Sequence, residues 1–235
     1  MRPTSTIQAC FCCGSKELVA GKVLWEALIR EWQLSPYENE YIDRQQGVSC
    51  RHCGSNLRSM ALALAICRNY RYEETLVKFV NERRFRHLRI LEVNEAGNLT
   101  PFLSKLPGHR IGRYPELDMM RMPYEDRFYD LVVHSDTLEH VPQPITALAE
   151  CYRVLVPGGV CAFTIPVIVD RLTRSRAGLP PSYHGDPTEH GEDYAVQTEY
   201  GCDAWKQVIL AGFQECRLIT PEFPSALAFV AARWV

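Results

Sequence analysis

Residues 129–165 read YDLVVHSDTLEHVPQPITALAECYRVLVPGGVCAFTI. The apolar run after Asp130 predicts a buried strand, and VCAFTIPVIV at 160–169 predicts another. Between them, ITALAECYRVL at 145–155 has the spacing of an amphipathic helix that ends before Pro157-Gly158-Gly159. Short apolar strands that alternate with helices are typical of a parallel sheet with crossover connections. The stretch therefore predicts an α/β fold.

The same alternation extends to both sides of this stretch. The further predicted elements are strands at 88–93, 109–114, 213–220 and 226–235 and helices at 98–106 and 201–212. Residues 170–198 lose all periodicity, and so long a stretch within a compact domain is typical of a functional loop. We therefore expect a lid-like insertion at 170–198 within an α/β domain that spans 87–235.

The amino-terminal part has a different pattern. Residues 1–57 are punctuated by cysteines, and the segment 16–32 between the cysteine pairs has near-helical spacing of apolar residues that Ser35-Pro36 interrupts. Residues 58–86 predict two helices, the first almost continuously apolar and the second amphipathic. We expect a small metal-binding domain at 1–57 and a helical linker at 58–86.

A six-residue pattern, C-x-x-C-G-S, occurs twice, at 10–15 and at 50–55. Two thiolates at this spacing can face one ion from a tight turn, and the following glycine lets the backbone offer its amides to sulfur. Four such ligands make a closed tetrahedral site. The repeat predicts a structural Zn²⁺ in a zinc ribbon, with these ligands: Cys10, Cys13, Cys50 and Cys53.

Other interpretations of the cysteines remain open at this point. The pairs could form redox disulfides or be unrelated thiols, although no thioredoxin-like context surrounds them and their repetition favours a shared ion. Cys12 or His52 could replace a neighbouring ligand, which we do not expect. The remaining cysteines are expected to be packing residues: 67, 151, 161, 202 and 216.

Composition limits the classes of partner. The net charge is −2 and the pI is near 6.4, whereas proteins that grip phosphate backbones are usually basic, so nucleic acid is not the expected partner. No apolar run is long enough to span a bilayer, and the first residues lack a signal-peptide core. We expect a cytoplasmic protein in a reducing compartment, without membrane contact.

Three motifs in the α/β region resemble those of class I methyltransferases that use S-adenosylmethionine. Residues 118–133 have the family's aspartate, a Met-Pro-Tyr turn and an aromatic-Asp pair before a buried strand; residues 135–141 match S-x-x-L-E-H-V; residues 150–159 match E-x-x-R-V-L-x-P-G-G. The resemblance implies a Rossmann-like sheet of seven strands that binds S-adenosylmethionine outside the carboxyl ends of its parallel strands.

The resemblance also implies where the cofactor contacts lie. Asp118 would accept a hydrogen bond from the adenine amino group, the N–H of Met119 would contact a ring nitrogen, and Met120 would cover the ring. Ser135 and Asp136 would border the methionine moiety, and His140 is the family's L-E-H histidine, expected to orient the loop. Capping roles are the alternative for the aspartates.

Two segments depart from the family pattern. The first loop is usually rich in glycine, but Ile90-Leu91-Glu92 is followed by Val93-Asn94-Glu95-Ala96-Gly97-Asn98. Asparagine tolerates positive φ, so the loop is expected to form with these cofactor residues: Glu92, Asn94, Ala96 and Gly97. The acid that binds ribose is absent from the end of the second strand, and the nearest substitute is Glu116.

The residues that carry out chemistry are harder to predict. Methyl transfer depends on positioning, and a base is needed only if the acceptor loses a proton. Histidine suits that role near neutral pH, so His134 beside the cofactor strand and His184 in the insertion are the candidates. Three arginines of the insertion could bind an acidic acceptor, although a solvated basic face is the expected role: 171, 174 and 176.

Three functions are therefore compared. The first is a methyltransferase for a small-molecule acceptor, such as a sugar or a secondary metabolite. The second is a ribosomal or transfer RNA methyltransferase, since some of those also carry a zinc ribbon; the balanced charge of residues 10–57 argues against it. The third is a degenerate methyltransferase fold that serves as a binding module, for which the altered first loop is the best support.

Overall fold

The structure is a computed structural model that describes residues 7–183 and 194–235. The amino-terminal part contains two short antiparallel strands, three helices and a single helical turn. They are β1 (Leu18–Ala20), α1 (Glu26–Glu31), α2 (Pro36–Gly47), β2 (Val48–Cys50), α3 (Leu57–Asn69) and α4 (Leu76–Phe79). A 3₁₀ turn at Arg83–Phe85 leads into the α/β part.

The α/β part follows the predicted alternation. Its first elements are β3 (Ile90–Val93), α5 (Thr100–Leu103), β4 (His109–Gly112), β5 (Tyr129–Ser135), α6 (Pro144–Val154) and β6 (Leu155–Thr164), with 3₁₀ turns at Gly97–Leu99 and Leu138–His140. The remaining elements are β7 (Val167–Ile168), β8 (Arg174–Ser175), β9 (Thr198–Gly201), α7 (Trp205–Leu210), β10 (Glu215–Glu222) and β11 (Ala226–Ala232).

The central sheet has the order β10-β11-β6-β5-β3-β4. Strands β3 to β6 are parallel to one another, whereas β11 is antiparallel to both β6 and β10. The chain runs from β3 outward to β4 and then returns to β5 on the other side of β3. Ligands bind at such a reversal of strand order, outside the carboxyl ends of the strands. This topology places the candidate site beside Val93 and Ser135.

The predicted fold class is correct, but the described residues form a central sheet of six strands rather than seven. The outer position beyond β4 is empty because β4 ends at Gly112 and β5 begins at Tyr129. The residues between them, 113–128, include Pro115 and Pro123 and would have to supply a crossover helix as well as a strand. A crossover alone needs a dozen or more residues.

The sheet separates two layers of core side chains. On one face, α3 packs across β11, β10 and β6, and every residue from Leu57 to Cys67 is buried. On the other face lie α6 and α7, around Leu148 and Val208. Cys10, Cys12 and Cys50 belong to the same core cluster as α3, so the cysteine segment packs directly on the α/β part.

Two expectations for the amino-terminal part are wrong. The single helix expected over 16–32 is instead strand β1 followed by the short helix α1, because Leu18 and Val19 pair with the residues of β2. Helix α2 was not expected, since Ser35-Pro36 was interpreted only as a break. In fact Ser35 and Glu38 form a capping box with Pro36 at the first helical position.

The second predicted linker helix is also shorter than expected. Only Leu76–Phe79 is α-helical, and its first amides donate to the cysteine segment, from Leu76 N to Phe11 O and from Val77 N to Cys12 O. Part of the insertion is ordered as a small sheet in which β9 lies between β7 and β8. The apolar run 160–169 is divided between β6 and β7.

Two ion pairs join helix α2 to the α/β part. Arg171 donates to both carboxylate oxygens of Glu38, at 2.7 and 2.9 Å, and Arg44 pairs with the buried Glu222. The Arg171 guanidinium lowers the pKa of Glu38 from 4.5 to about 2, against the opposing effect of burial. A buried carboxylate of this kind stabilises the fold only while it is ionised.

We expect stability to depend on the charge of Glu38. Because the pKa is lowered in the folded state, the contribution is complete above pH 4.5 and is lost as pH falls toward 2. When the pH is lowered from 4.5 to 2, the free energy of unfolding measured with urea should fall by up to about 3 kcal/mol more for the wild type than for Glu38→Gln. Glu40→Gln, an exposed change on the same helix, is the matched control and should follow the wild type. Parallel pH profiles for the wild type and Glu38→Gln would contradict the assignment.

Candidate functional site: a four-cysteine cluster and a cavity at the sheet edge

The four predicted ligands converge on one point. Cys10 Sγ lies 3.6 Å from Cys53 Sγ, and Cys13 Sγ lies 3.5 Å from Cys50 Sγ. All four sulfur atoms lie within 4.8 Å of one another. Tetrahedral zinc with Zn–S bonds of about 2.3 Å requires sulfur atoms about 3.8 Å apart. The cluster therefore has the ligand set and the spacing for one such ion.

The two copies of the sequence repeat fold in the same way. In the first knuckle (residues 10–15), Cys10 N donates to Ser15 O at 2.8 Å and Gly14 N donates to Cys10 O at 2.7 Å. The second knuckle (residues 50–55) has the equivalent bonds at 2.9 and 2.8 Å. Gly14 and Gly54 have φ of +87° and +73°, which explains why each repeat places glycine after its second cysteine.

Neither alternative ligand joins the cluster. Cys12 is buried, and its thiol donates to Ser59 O at 3.7 Å, whereas His52 is exposed. At Cys50, burial raises the pKa, but hydrogen bonds with the amides of Cys53 and His52 and with the neighbouring thiols outweigh it and lower the pKa to about 7, whereas burial raises the pKa of Cys13 and of Cys53. Among the cysteines expected to pack, residue 202 is instead exposed.

We predict that the chain purified under reducing conditions binds about one Zn²⁺. Cys53→Ser should lose nearly all of it, because a hydroxyl is a poor ligand for this ion. Cys12→Ala, which changes the neighbouring buried thiol, should retain the metal. Metal content per chain after gel filtration, by inductively coupled plasma mass spectrometry, tests both variants. Retention by Cys53→Ser or loss from Cys12→Ala would contradict the assignment.

A cavity of about 1070 Å³ opens at the carboxyl ends of β3 and β5. Eight of the predicted cofactor residues line it: Asn94, Gly97, Asp118, Met119, Met120, Ser135, Asp136 and His140. The opposite wall comes from residues 176–181, 183 and 194–197 of the insertion. Ligand cavities in proteins range from about 300 to 1,000 Å³, so this one has room for a nucleoside and a second small molecule.

The first loop folds although it lacks the usual glycines. Asn94 adopts φ of +55°, and its Oδ1 accepts from Tyr114 N at 3.0 Å, which ties the loop to the end of β4. Glu92 lies beneath the loop, where Oε1 accepts from Ala96 N at 2.8 Å and from the Thr100 hydroxyl at 2.6 Å. Glu92 and Ala96 are buried and do not line the cavity, so their part is to shape the loop.

At the expected adenine end, Asp118 Oδ1 accepts from Met120 N at 2.8 Å, which fixes the turn and leaves the second carboxylate oxygen as an acceptor. The expected ribose acid is misplaced, because Glu116 is exposed and does not line the cavity. Glu95 and Arg113 form an ion pair at the cavity wall instead. Glu95 was missed because it lies inside the glycine-poor loop, where family resemblance expects no acid.

At the other end, Arg58 reaches the cavity edge from α3. Its Nη1 donates to Asp136 Oδ1 at 2.5 Å, and the side chain is only 3% exposed. Burial raises the pKa of Asp136, whereas the charges of Arg58 and His140 oppose that shift. Ser135 and Thr164 hydroxyls lie 2.7 Å apart beside it. No sequence signal identified Arg58, because its partner lies far along the chain.

The histidine predictions have different outcomes. His134 is fully buried and stacks on Phe163 with ring centroids 4.8 Å apart; burial lowers its pKa to about 3. It does not line the cavity, so the structure corrects its expected catalytic role to one in packing. His140 does line the cavity, with Nδ1 3.2 Å from Ala195 O. His184 lies outside the described residues.

The three arginines of the insertion do not form a solvated basic face. Arg171 pairs with Glu38, and Arg174 and Arg176 both pair with the buried Glu199. Burial raises the pKa of Glu199, but the two arginines outweigh it and lower the pKa. Two carboxylates therefore balance two of these three positive charges, and the Arg174 side chain is 58% exposed. Glu199 carried no sequence signal, since it follows a stretch without periodicity.

Comparison with known proteins adds to the fold and the cavity. Residues 53–163, a little under half of the chain, match the family model described as a methyltransferase domain. The match begins at the last cysteine of the cluster and ends in β6. No curated protein sequence matches the chain.

Solved structures that resemble the chain include three methyltransferases. One from Thermotoga maritima is 14% identical over 63% of this chain and 83% of its own, with a TM-score of 0.36. One from Aquifex aeolicus is 13% identical over 67% and 96%, with a TM-score of 0.39. A Galdieria sulphuraria protein described as a sarcosine dimethylglycine methyltransferase is 20% identical over 37% of this chain and 43% of its own, with a TM-score of 0.28. The match therefore spans less than half of that protein.

Among the described residues, no helix has the length and apolarity to cross a membrane.

Proposed function

We propose that the chain transfers a methyl group from S-adenosylmethionine to a small-molecule acceptor, and that Zn²⁺ held by the four cysteines has a structural role. The observation that carries the proposal is the cavity itself. It lies at the reversal of strand order, and the residues that resemble the family's cofactor motifs meet on its walls. A sheet edge filled by its own side chains would have favoured the degenerate binding module instead.

The cofactor supplies a sulfonium whose methyl group is open to attack by a nucleophile. Asp118 and the Met119 amide would hold the adenine, with Met120 against the ring. Glu95 and Tyr114 are on the wall where the ribose would lie. Ser135 and Asp136 border the end of the cavity nearest β5, so we place the methionine moiety and the methyl group there. The Arg58–Asp136 ion pair keeps this end polar and in one geometry.

The acceptor would enter between His140 and the insertion. Leu179, Pro180, Pro181, Tyr183, Tyr194 and Val196 give this wall a largely apolar and aromatic character. His140 is the titratable group of the described residues best situated to accept a proton from the acceptor, if its nucleophile must lose one. Such a wall suits a small molecule with a flat or apolar part.

Charge also favours a small molecule over RNA. The insertion's three arginines pair with two carboxylates, those of Glu38 and Glu199, so they leave one net positive charge rather than a strongly basic patch. The most basic run, residues 83–89, precedes β3, so it lies at the opposite edge of the sheet from the cavity.

Cofactor binding should depend on Asp118. Calorimetric titration with S-adenosylhomocysteine should show binding to the wild type. Asp118→Ala should bind it roughly 10- to 150-fold more weakly, a loss of about 1.5–3 kcal/mol, because a charge-assisted hydrogen bond is removed. Glu125→Ala removes an exposed acid seven residues further along and is the matched control. Absence of binding to the wild type would favour the binding module and refute the proposal.

The acceptor class can be tested without knowing the acceptor. The chain is incubated with methyl-labelled S-adenosylmethionine and a cell extract separated into small molecules, RNA and protein. We expect label in the small-molecule fraction, and at least tenfold less label there with Asp118→Ala, because the reaction needs bound cofactor. Dominant labelling of the RNA fraction would contradict the small-molecule assignment and support the second function.

A further inference from the structure

The second knuckle lies against the cofactor loop (residues 94–98). Asn98 Nδ2 donates to Cys53 O at 3.3 Å, and Cys53 is one of the four clustered cysteines. The approach is close, since a Cβ added to Gly54 would lie 2.8 Å from Asn98 Nδ2. A shift of the knuckle by a fraction of an ångström would therefore be transmitted to the loop.

The first turn of α3 makes a second connection between the same two segments. Helix α3 begins directly after the second knuckle, where Asn56 Oδ1 accepts from Ser59 N at 2.9 Å and caps it. Ser59 Oγ in turn accepts from Asn98 N at 3.2 Å. The first knuckle reaches the same residue, because the Cys12 thiol donates to Ser59 O. Cys12 of the first knuckle and Asn56, which follows the second knuckle, thus both form hydrogen bonds with Ser59. Ser59 in turn forms a hydrogen bond with the loop.

The loop needs such external contacts more than a glycine-rich loop would. Gly97 is its only glycine, and a Cβ there would lie 2.5 Å from Ser59 Oγ, so the loop packs tightly on α3. The same turn of α3 carries Arg58, which holds Asp136 at the far end of the cavity. The position of this one turn fixes two walls of the cofactor site.

Metal binding would fix that position. A cysteine knuckle takes a defined shape when both sulfur atoms are held by one ion, and binding free energy at such sites is coupled to folding of the surrounding chain. Any change that metal imposes on the Cys53 carbonyl alters the hydrogen bond to Asn98. Coupling between two ligand sites is reciprocal. If metal changes the affinity for cofactor by some factor, cofactor must change the affinity for metal by the same factor.

We propose that Asn98 and Ser59 are positioning residues that couple the four-cysteine cluster to the cofactor loop, so that metal and cofactor each tighten the binding of the other. The inference rests on the proposed function, because it requires that the cavity binds S-adenosylmethionine. It gives the cluster a part in cofactor affinity beyond holding the fold.

The experiment measures Co²⁺ affinity, with a chromophoric chelator as competitor and the thiolate-to-cobalt absorption as the readout. Full-length chain is titrated with and without saturating S-adenosylhomocysteine, under a reductant that does not bind metal. In the wild type we expect S-adenosylhomocysteine to tighten Co²⁺ binding by about 5- to 150-fold, the usual range of coupling between sites. In Asn98→Ala this factor should fall toward one.

Asn98 is chosen because it is exposed, so its truncation leaves the core intact. Asn81→Ala is the matched control, since Asn81 is also exposed and its Nδ2 donates to a backbone carbonyl, that of Val77, which belongs neither to the second knuckle nor to the cofactor loop. It should keep the wild-type factor. If removal of metal merely unfolded the chain, cofactor would tighten Co²⁺ equally in all three proteins, so an unchanged factor in Asn98→Ala overturns the inference.

The remaining outcomes separate this inference from the function on which it rests. Binding of S-adenosylhomocysteine to the wild type with no change in Co²⁺ affinity overturns the coupling and leaves the methyltransferase proposal standing. Failure of S-adenosylhomocysteine to bind the Co²⁺-loaded wild type overturns both.

Discussion

The Arg58–Asp136 ion pair is the constraint around which the cavity is organised. A guanidinium that is 3% exposed is costly unless it is paired, and its partner must therefore stay within hydrogen-bond reach. Asp136 adopts φ of +49°, an unfavourable backbone for aspartate, and is held there by its N–H bond to Thr164 O as well as by Arg58. The pair locks the first turn of α3 onto the carboxyl end of β5.

The amino-terminal part also contacts the insertion that forms one wall of the cavity. Trp32 Nε1 donates to Ser182 Oγ at 2.8 Å, and Arg171 also donates to Trp32 O, so α1 and α2 hold the insertion that faces the acceptor. The amino-terminal part thus bonds both to Asp136 on the cavity wall and to the insertion. An amino-terminal segment that did not pack on the α/β part would not make these hydrogen bonds.

Sequence reasoning identified the features that repeat or that are local. The C-x-x-C-G-S repeat predicted both knuckles, and the apolar runs predicted β3, β5 and β6. The S-x-x-L-E-H-V motif placed Ser135, Asp136 and His140 at one edge of the sheet. The capping box at Ser35 is also visible in the sequence. Because it was not recognised, helix α2 was not predicted.

Several of the features that sequence reasoning missed depend on a distant partner. Strand β1 exists because β2 pairs with it, and nothing in Leu18–Ala20 alone distinguishes it from a helix. Arg58 and Glu199 are buried charges, and each pairs with a residue far along the chain. His134 was misjudged for the opposite reason: its neighbours in sequence are site residues, but alternation along β5 turns its ring into the core.

The glycine-poor loop is held by contacts that differ from those of a glycine-rich loop. In a glycine-rich loop, the backbone reaches its shape because nothing obstructs it. Here Asn94 takes the positive φ and uses its side chain to bind Tyr114 N, Glu92 anchors Ala96 N, and Ser59 anchors Asn98 N. Each lost glycine is offset by a side-chain hydrogen bond. Because one of those bonds comes from the helix that follows the second knuckle, the conformation of this loop depends in part on the segment that carries the cysteines.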